Sequence, residues 1–248
     1  MKIITTAVIK GGTGKTSTTA ALAQLAAHNG KKVLAIDLDP QSNLSMFLDG
    51  EPNTTGSLEF LQGVVFADCM QETEQGIDLL SGHPDLAIEE TKKDSTKRLY
   101  NAIKPIKKKY DYIFVDTPPT IGELTFNGLF ACTDLLIPLE TDSSSIQGLY
   151  NIIAIAHDVQ KAQKEYKTSK TLNILGVVLT RYDGRPNINK QVKLAVETIC
   201  NNANVPFLGC IRPGIAIREA QANRQSLYDY APKSNPAIDY MELFNKIK

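Results

Sequence analysis

The sequence predicts an α/β fold: a doubly wound, mainly parallel sheet flanked by helices. Three observations carry that reading. Short aliphatic or β-branched runs alternate with longer helical stretches along the chain. Most of these runs are apolar throughout, the pattern of strands covered on both faces. The first run leads directly into a glycine-rich loop and then an alanine-rich helix, the start of a βαβ unit.

In chain order, the expected strands are residues 3–9, 33–37, 77–80, 112–116, 135–139, 174–180 and 207–211. A first helix over 16–29 is rich in Ala and Leu and stops at Gly30, which suits the position after a helix end. Residues 146–164 and 189–201 read as further helices. The segment 92–109 holds eight basic residues mixed with Leu99, Ile103 and Ile106 at helical spacing. It reads as a solvated helix face, with a binding surface as the other reading. The tail 237–248 places Ile238, Met241, Phe244 and Ile247 at three-residue steps, as a last helix packed on the sheet would. Only Lys246 and Lys248 there favour a membrane-surface helix.

The composition narrows the class. At 248 residues one unit spanning 1–248 is expected, since α/β sheets often pass 200 residues undivided. With 42% hydrophobic and 22% charged residues the chain has a globular composition. The 27 Lys and Arg cancel the 27 Asp and Glu, which excludes a globally basic coat and an acidic tail and confines any DNA contact to a local patch. No apolar run approaches the ~20 residues of a membrane span, and residues 1–6 lack the pattern of a secretory signal. Cys69, Cys132, Cys200 and Cys210 form no C-x-x-C pair, as expected of buried reduced thiols in the cytoplasm.

The loop Lys10-Gly11-Gly12-Thr13-Gly14-Lys15-Thr16-Ser17 joins the first strand to the first helix. Glycines let backbone N–H groups curl around phosphates, and the helix adds its free N–H groups and positive end. Lys15 would reach the β and γ phosphates of ATP, and the Thr16 hydroxyl would bind Mg²⁺. The common pattern wants glycine where Ile9 stands, and a second lysine, Lys10, follows it. Two ammonium groups at one mouth are costly unless an anion neutralises both.

Two further runs end in carboxylates. The second strand closes Ala35-Ile36-Asp37-Leu38-Asp39-Pro40-Gln41, with Asp37 and Asp39 on one face at the carboxyl end of the sheet. The run Tyr112-Ile113-Phe114-Val115-Asp116 has the form of a Walker B strand, so Asp116 should hold Mg²⁺ through water. Pro118 and Pro119 stiffen the loop that follows. A capping role is the other reading of Asp116.

Lys10-Gly-Gly-x-Gly-Lys-Thr is the deviant Walker A motif, and with it the sequence resembles the ParA/MinD family of P-loop ATPases. The resemblance extends through Asp37-Leu38-Asp39-Pro40-Gln41, Leu136-Ile137-Pro138-Leu139, 176–183 and Tyr230-Ala231-Pro232-Lys233-Ser234, the last segments favouring small ParA partition proteins. It implies that Lys10 reaches across an ATP-sandwich homodimer, that Asp39 orients or activates the attacking water, and that Asp37 supports the Mg²⁺ shell. It also implies that the loop after Asp116 senses the γ-phosphate and that Arg212, Pro213 and Gly214 lie near the adenine. Thr13 stands where valine is commonest, a variable site. No N-terminal helix-turn-helix is expected, so operator reading is not.

Five of the six arginines, Arg181, Arg185, Arg212, Arg218 and Arg224, fall between 181 and 224. With Lys190 and Lys193 they face only Asp183, Glu197 and Glu219 in that stretch, which suits phosphate contacts without base readout. Pairing with carboxylates or a place beside the nucleotide is the other reading. Ala216 stands where many ParA proteins carry arginine.

The expected function is thus a Mg²⁺-dependent ATP hydrolase of the ParA type with weak intrinsic activity. ATP closes a homodimer that binds DNA non-specifically at the nucleoid, and hydrolysis stimulated by a ParB-like partner releases it. The alternatives are a MinD-like membrane regulator, a scaffold-type ATPase that positions a complex without DNA, and a metal-cluster reductase with cysteines bridging subunits.

Overall fold

A computed structural model describes residues 1–52, 54–92 and 96–248. Lys93, within the basic segment 92–109, lies outside the described residues. The chain runs β1 (Lys2–Thr6), α1 (Lys15–His28), β2 (Val33–Asp37), α2 (Asn43–Phe47), α3 (Ser57–Leu61), α4 (Phe66–Cys69), β3 (Met70–Glu72), β4 (Asp78–Leu80), α5 (Leu86–Glu89) and α6 (Arg98–Ile103). It continues β5 (Tyr112–Asp116), α7 (Glu123–Ala131), β6 (Asp134–Leu139), α8 (Ser143–Glu165), β7 (Asn173–Leu179), α9 (Asn187–Asn202), β8 (Phe207–Cys210), α10 (Ala216–Ala222), α11 (Leu227–Tyr230) and α12 (Asn235–Ile247).

The strands form one eight-stranded sheet in the order β3-β4-β2-β5-β1-β6-β7-β8. Every pairing is parallel except the edge pair β3 with β4. Both faces are buried, and alternate residues of the central strands go to opposite sides. Ile3, Ile36 and Val115 join the core under α7 and α8, while Ile4, Ala35 and Phe114 join that under α1 and α12. Burial on both sides is why these strands read as unbroken apolar runs.

Three differences from the sequence reading have physical reasons. The first strand ends at Thr6, not residue 9, because the chain must leave the sheet to form the loop before α1. Among its described residues the basic segment 92–109 holds the six-residue α6 and a 3-10 turn over Lys107–Lys109, since Pro105 has no N–H to continue the helical hydrogen bonds past Lys104. The long helix α8 starts at Ser143 instead of 146, because Asp142 caps it by accepting from Ser144 N and Ser145 N. The last helix packs on the sheet as expected, with Tyr240, Leu243, Phe244 and Ile247 buried.

Candidate nucleotide site

The parallel register builds the site. Thr6 of β1 pairs with Asp116 of β5, which pairs with Asp37 of β2, so three strand ends stand in one row. The loop between β1 and α1 rises above that row. Gly12 and Gly14 both have φ of 80°, a left-handed conformation that side chains other than glycine resist. A Cβ on Gly14 would also lie 3.3 Å from the Thr180 side chain.

Lys15 is buried, and its ammonium donates to the Lys10 carbonyl at 3.0 Å. Burial lowers its pKa, against the attraction of Asp116 and Asp39. The Thr16 hydroxyl donates to Asp116 Oδ2 at 2.6 Å, and Thr19 Oγ1 donates to Asp116 Oδ1 at 3.3 Å. Asp37 accepts from Asp39 N at 3.1 Å, Ser45 N at 2.9 Å and Ser45 Oγ at 2.8 Å. Burial pushes Asp37 up to about 6 despite these donors. Burial, then the charge of Asp37, pushes Asp116 up to about 8. Asp39 is raised as well, first by burial, with Glu90 adding to the effect.

ATP and Mg²⁺ fit these residues. A buried ammonium held by one carbonyl suits a phosphate, and the space around Gly12, free of atoms within 4 Å of a Cβ, is open for one. Thr13 Oγ1 is buried without a protein partner. The donor set near Asp116 is all oxygen, which suits a hard cation. Among the described residues no three His, Cys, Asp or Glu side chains converge on one point. Mg²⁺ would therefore take Thr16, with Asp37 and Asp116 acting through water, and complete its shell from phosphates.

Lys10 is ion-paired with Asp142 of the same chain, the residue that caps α8. Burial would raise the Asp142 pKa, but hydrogen bonds from Lys10, Ser144 and Ser145 and the lysine charge bring it down to about 2. Beside the loop lies a cavity of about 490 Å³ lined by Ser17, Phe47, Arg181, Arg212, Pro213, Gly214, Arg218 and Tyr240, among others. The expected adenine residues therefore face space next to Gly14. The Arg212 guanidinium and the Arg212 main-chain N–H both donate to Asp239, each at 2.7 Å, so the Arg212 carbonyl is what remains for a base.

The arginine-rich stretch divides in three dimensions. Arg181 turns to the phosphate loop, donating to the Gly12 carbonyl at 2.7 Å and pairing with Glu140 at 2.9 Å. Arg185 pairs with Asp183, Lys193 with Glu197 and Arg224 with Asp49. Lys190 at the start of α9 and Arg218 on α10 are exposed. Neither makes a described ion pair.

Ser45, Glu90 and Asp142 escaped the sequence reading. Glu90 accepts from Thr120 Oγ1 at 2.6 Å and from Leu124 N at 2.9 Å, holding the loop after Asp116. The Asp-Ser-Ser-Ser run at 142–145 is a helix-start signal that could have revealed Asp142. Ser45 and Glu90 carry no such signal. Cys69, Cys132 and Cys200 are buried and Cys210 is half-buried, all as free thiols.

A family model described as an AAA domain, AAA_31, matches residues 1–173. The sporulation initiation inhibitor protein Soj of Bacillus subtilis is 31% identical over 99% of this chain and 98% of its own. The structure of Cyanothece apo McdA superposes with a TM-score of 0.83 at 25% identity, covering 98% of this chain and 99% of that one. Cobyrinic acid a,c-diamide synthase from Mycobacterium smegmatis, with bound ATP analog and magnesium, gives a TM-score of 0.78 at 27% identity over 99% and 93% of the two chains.

Proposed function

This chain belongs to the ParA/MinD-type family of AAA-domain P-loop ATPases, and we propose on that ground that it is a Mg²⁺-dependent ATP hydrolase of the partition kind. The observation that carries the reading is the convergence at the glycine loop of buried Lys15, Asp37, Asp39 and Asp116 with half-buried Thr16. Phosphoryl transfer needs mainly positioning and charge neutralisation, and this convergence supplies both. Lys15 neutralises the β and γ phosphates. Thr16, donating to Asp116, keeps its oxygen lone pairs free for the metal, and Asp39 orients the attacking water. Bound Mg²⁺ offsets the charge that develops on the transferred phosphoryl group.

Lys10 leaves Asp142 to reach the phosphates of a second copy, so ATP links hydrolysis to a homodimer. The dimer holds DNA by its phosphates, through Lys190 and Arg218 and through whichever of Arg181, Arg185, Lys193 and Arg224 exchange their carboxylates for phosphate. A ParB-like partner on the cargo DNA stimulates hydrolysis and separates the dimer from the nucleoid. Resemblance to the chromosome-partitioning ATPase Soj of Thermus thermophilus, 28% identical over 96% of this chain and 92% of its own, favours this partition reading over membrane or scaffold roles. Among the described residues no helix is long and apolar enough to cross a membrane. The test is binding to duplexes of unrelated sequence with ATP, with ADP and without nucleotide. ATP should raise affinity for all of them equally; equal binding in the three states would defeat the reading.

A further inference from the structure

In a parallel sheet the residues just before each strand gather at one end, opposite the loops that follow the strands. Here that end collects lysines. Lys31 and Lys32 precede β2, Lys107, Lys108 and Lys109 lead to β5, and Lys167 and Lys170 precede β7. The segments touch one another. Lys107 Nζ reaches Ser169 Oγ at 3.5 Å, Asp111 N donates to the Lys32 carbonyl at 2.9 Å, and Lys97 lies 4.5 Å above the Tyr166 ring.

These cations are not neutralised as the arginines are. None of these seven strand-preceding lysines makes an ion pair with a described carboxylate. Glu165 shares this end, as do Asp78, Asp111 and Asp134. The last three accept from Tyr110 OH, Lys32 N and the Thr133 hydroxyl respectively. Glu72, opposite Asp78, and Glu74 in the turn from β3 to β4 bring the acids to six, which the seven lysines still outnumber. The negative ends of α1, α6 and α8 account for some of the lysines, such as Lys104 and Lys164. Lys107, Lys108, Lys109 and Lys170 lie beyond any α-helical last turn.

The span from β2 to β7 is four strand spacings, about 19 Å, past which a duplex carries about ten phosphate charges. Lysine ammonium groups on flexible stems suit phosphates. Among the described residues the exposed large apolar side chains at this end are Met1, Tyr166 and, in a groove shared with Lys109, Val64 and Val65; these four, set among lysines, do not supply the apolar centre of a protein interface. We propose that this end of the sheet is a second, nucleotide-independent contact for the phosphates of duplex DNA. The inference rests on the reading that this chain works on DNA, and it differs in place and in nucleotide dependence from the contact made by the ATP dimer.

The test measures anisotropy of a labelled random duplex with the full chain, without nucleotide and with ATP and Mg²⁺, between about 50 and 200 mM salt. Without nucleotide, the unaltered chain should bind with a Kd of about 10⁻⁴–10⁻⁶ M and a log–log salt slope of about −4. The variant K107Q/K108Q/K167Q/K170Q, with its fold checked by circular dichroism, should bind at least about tenfold more weakly, the slope shrinking by about one per lysine. Its gain in affinity on adding ATP should persist. Equal nucleotide-free binding by variant and parent, or none by the parent at the lowest salt, overturns the inference. So does retention by phosphatidylglycerol vesicles or polyglutamate but not by the duplex. A gain with ATP but no nucleotide-free binding overturns this inference and leaves the dimer reading standing. Nucleotide-free binding without that gain does the reverse.

Discussion

Asp142 holds two things at once, and substitution separates them. Its carboxylate caps α8 by accepting from Ser144 N at 2.9 Å and Ser145 N at 3.1 Å, and it pairs with Lys10. Asparagine is as good a cap as aspartate, whereas alanine costs about 1 kcal/mol, or about 2–4 °C in Tm for a chain of this size. Asp142→Asn therefore removes the hold on Lys10 while keeping the helix start. Both partners are about one-third exposed, at 31% and 34%, so the pair is worth about 0.5–1 kcal/mol. A symmetric dimer in which each Lys10 crosses must break two such pairs, about 1–2 kcal/mol together. The ATP-dependent dimer of Asp142→Asn should then be about 5- to 30-fold tighter than that of the parent. Sedimentation equilibrium with a non-hydrolysable ATP analogue measures this, and thermal melting of the Asn and Ala variants checks the cap. An Asn variant that melts like the parent but dimerises no more tightly would refute the claim that Lys10 must leave Asp142 to form the dimer.

Further outcomes are expected around the same row of strand ends. Lys15→Ala should abolish ATP binding by calorimetry, whereas Asp39→Ala should bind ATP and accumulate as a dimer; wild-type turnover by the Asp39 variant would remove its assigned role. Ser45→Ala leaves Gly82 N without its 2.9 Å acceptor and Asp37 without one of its three donors, at a cost of about 2–4 kcal/mol and a Tm drop of about 5–15 °C. A drop under about 2 °C would show that the buried network is dispensable. The folded chain holds protons on Asp37 and Asp116 that the unfolded chain has released above pH ~4. The contribution of these two groups to nucleotide-free stability is therefore fully present below that pH and is lost as pH rises through about 6 and then about 8, by up to ~1.4 kcal/mol per pH unit for each group. Asp116→Asn should flatten the upper part of this decline in denaturant melts while removing the response to Mg²⁺; an unchanged pH slope would place the titration elsewhere.

Much of the site was legible because its spacing is local. Lys10 to Ser17 occupy a single strand-to-helix turn, and Asp37 and Asp116 each end an apolar run, so order along the chain already implies a phosphate loop above carboxylates. Ser45 and Glu90 were not legible, since each acts through a partner fixed only by packing: Ser45 on Asp37, Glu90 on Thr120 and Leu124. The edge strand β3 was missed for a simpler reason, having only three residues, none fully buried.

Charge divides the two levels most clearly. The count of 27 cations and 27 carboxylates, the glycine loop and the run of parallel strands are properties of the chain itself, and they determined the fold class and the chemistry. Which cations remain available is not such a property. Five arginines clustered between 181 and 224 suggested one patch, yet folding placed Glu140, Asp183, Asp239 and Asp49 against four of them. The lysines at 31–32, 107–109 and 167–170 suggested nothing together, being separated by scores of residues. A parallel sheet returns each strand to the same end, and the residues preceding those strands become neighbours because hydrogen-bond register, not sequence distance, sets their separation.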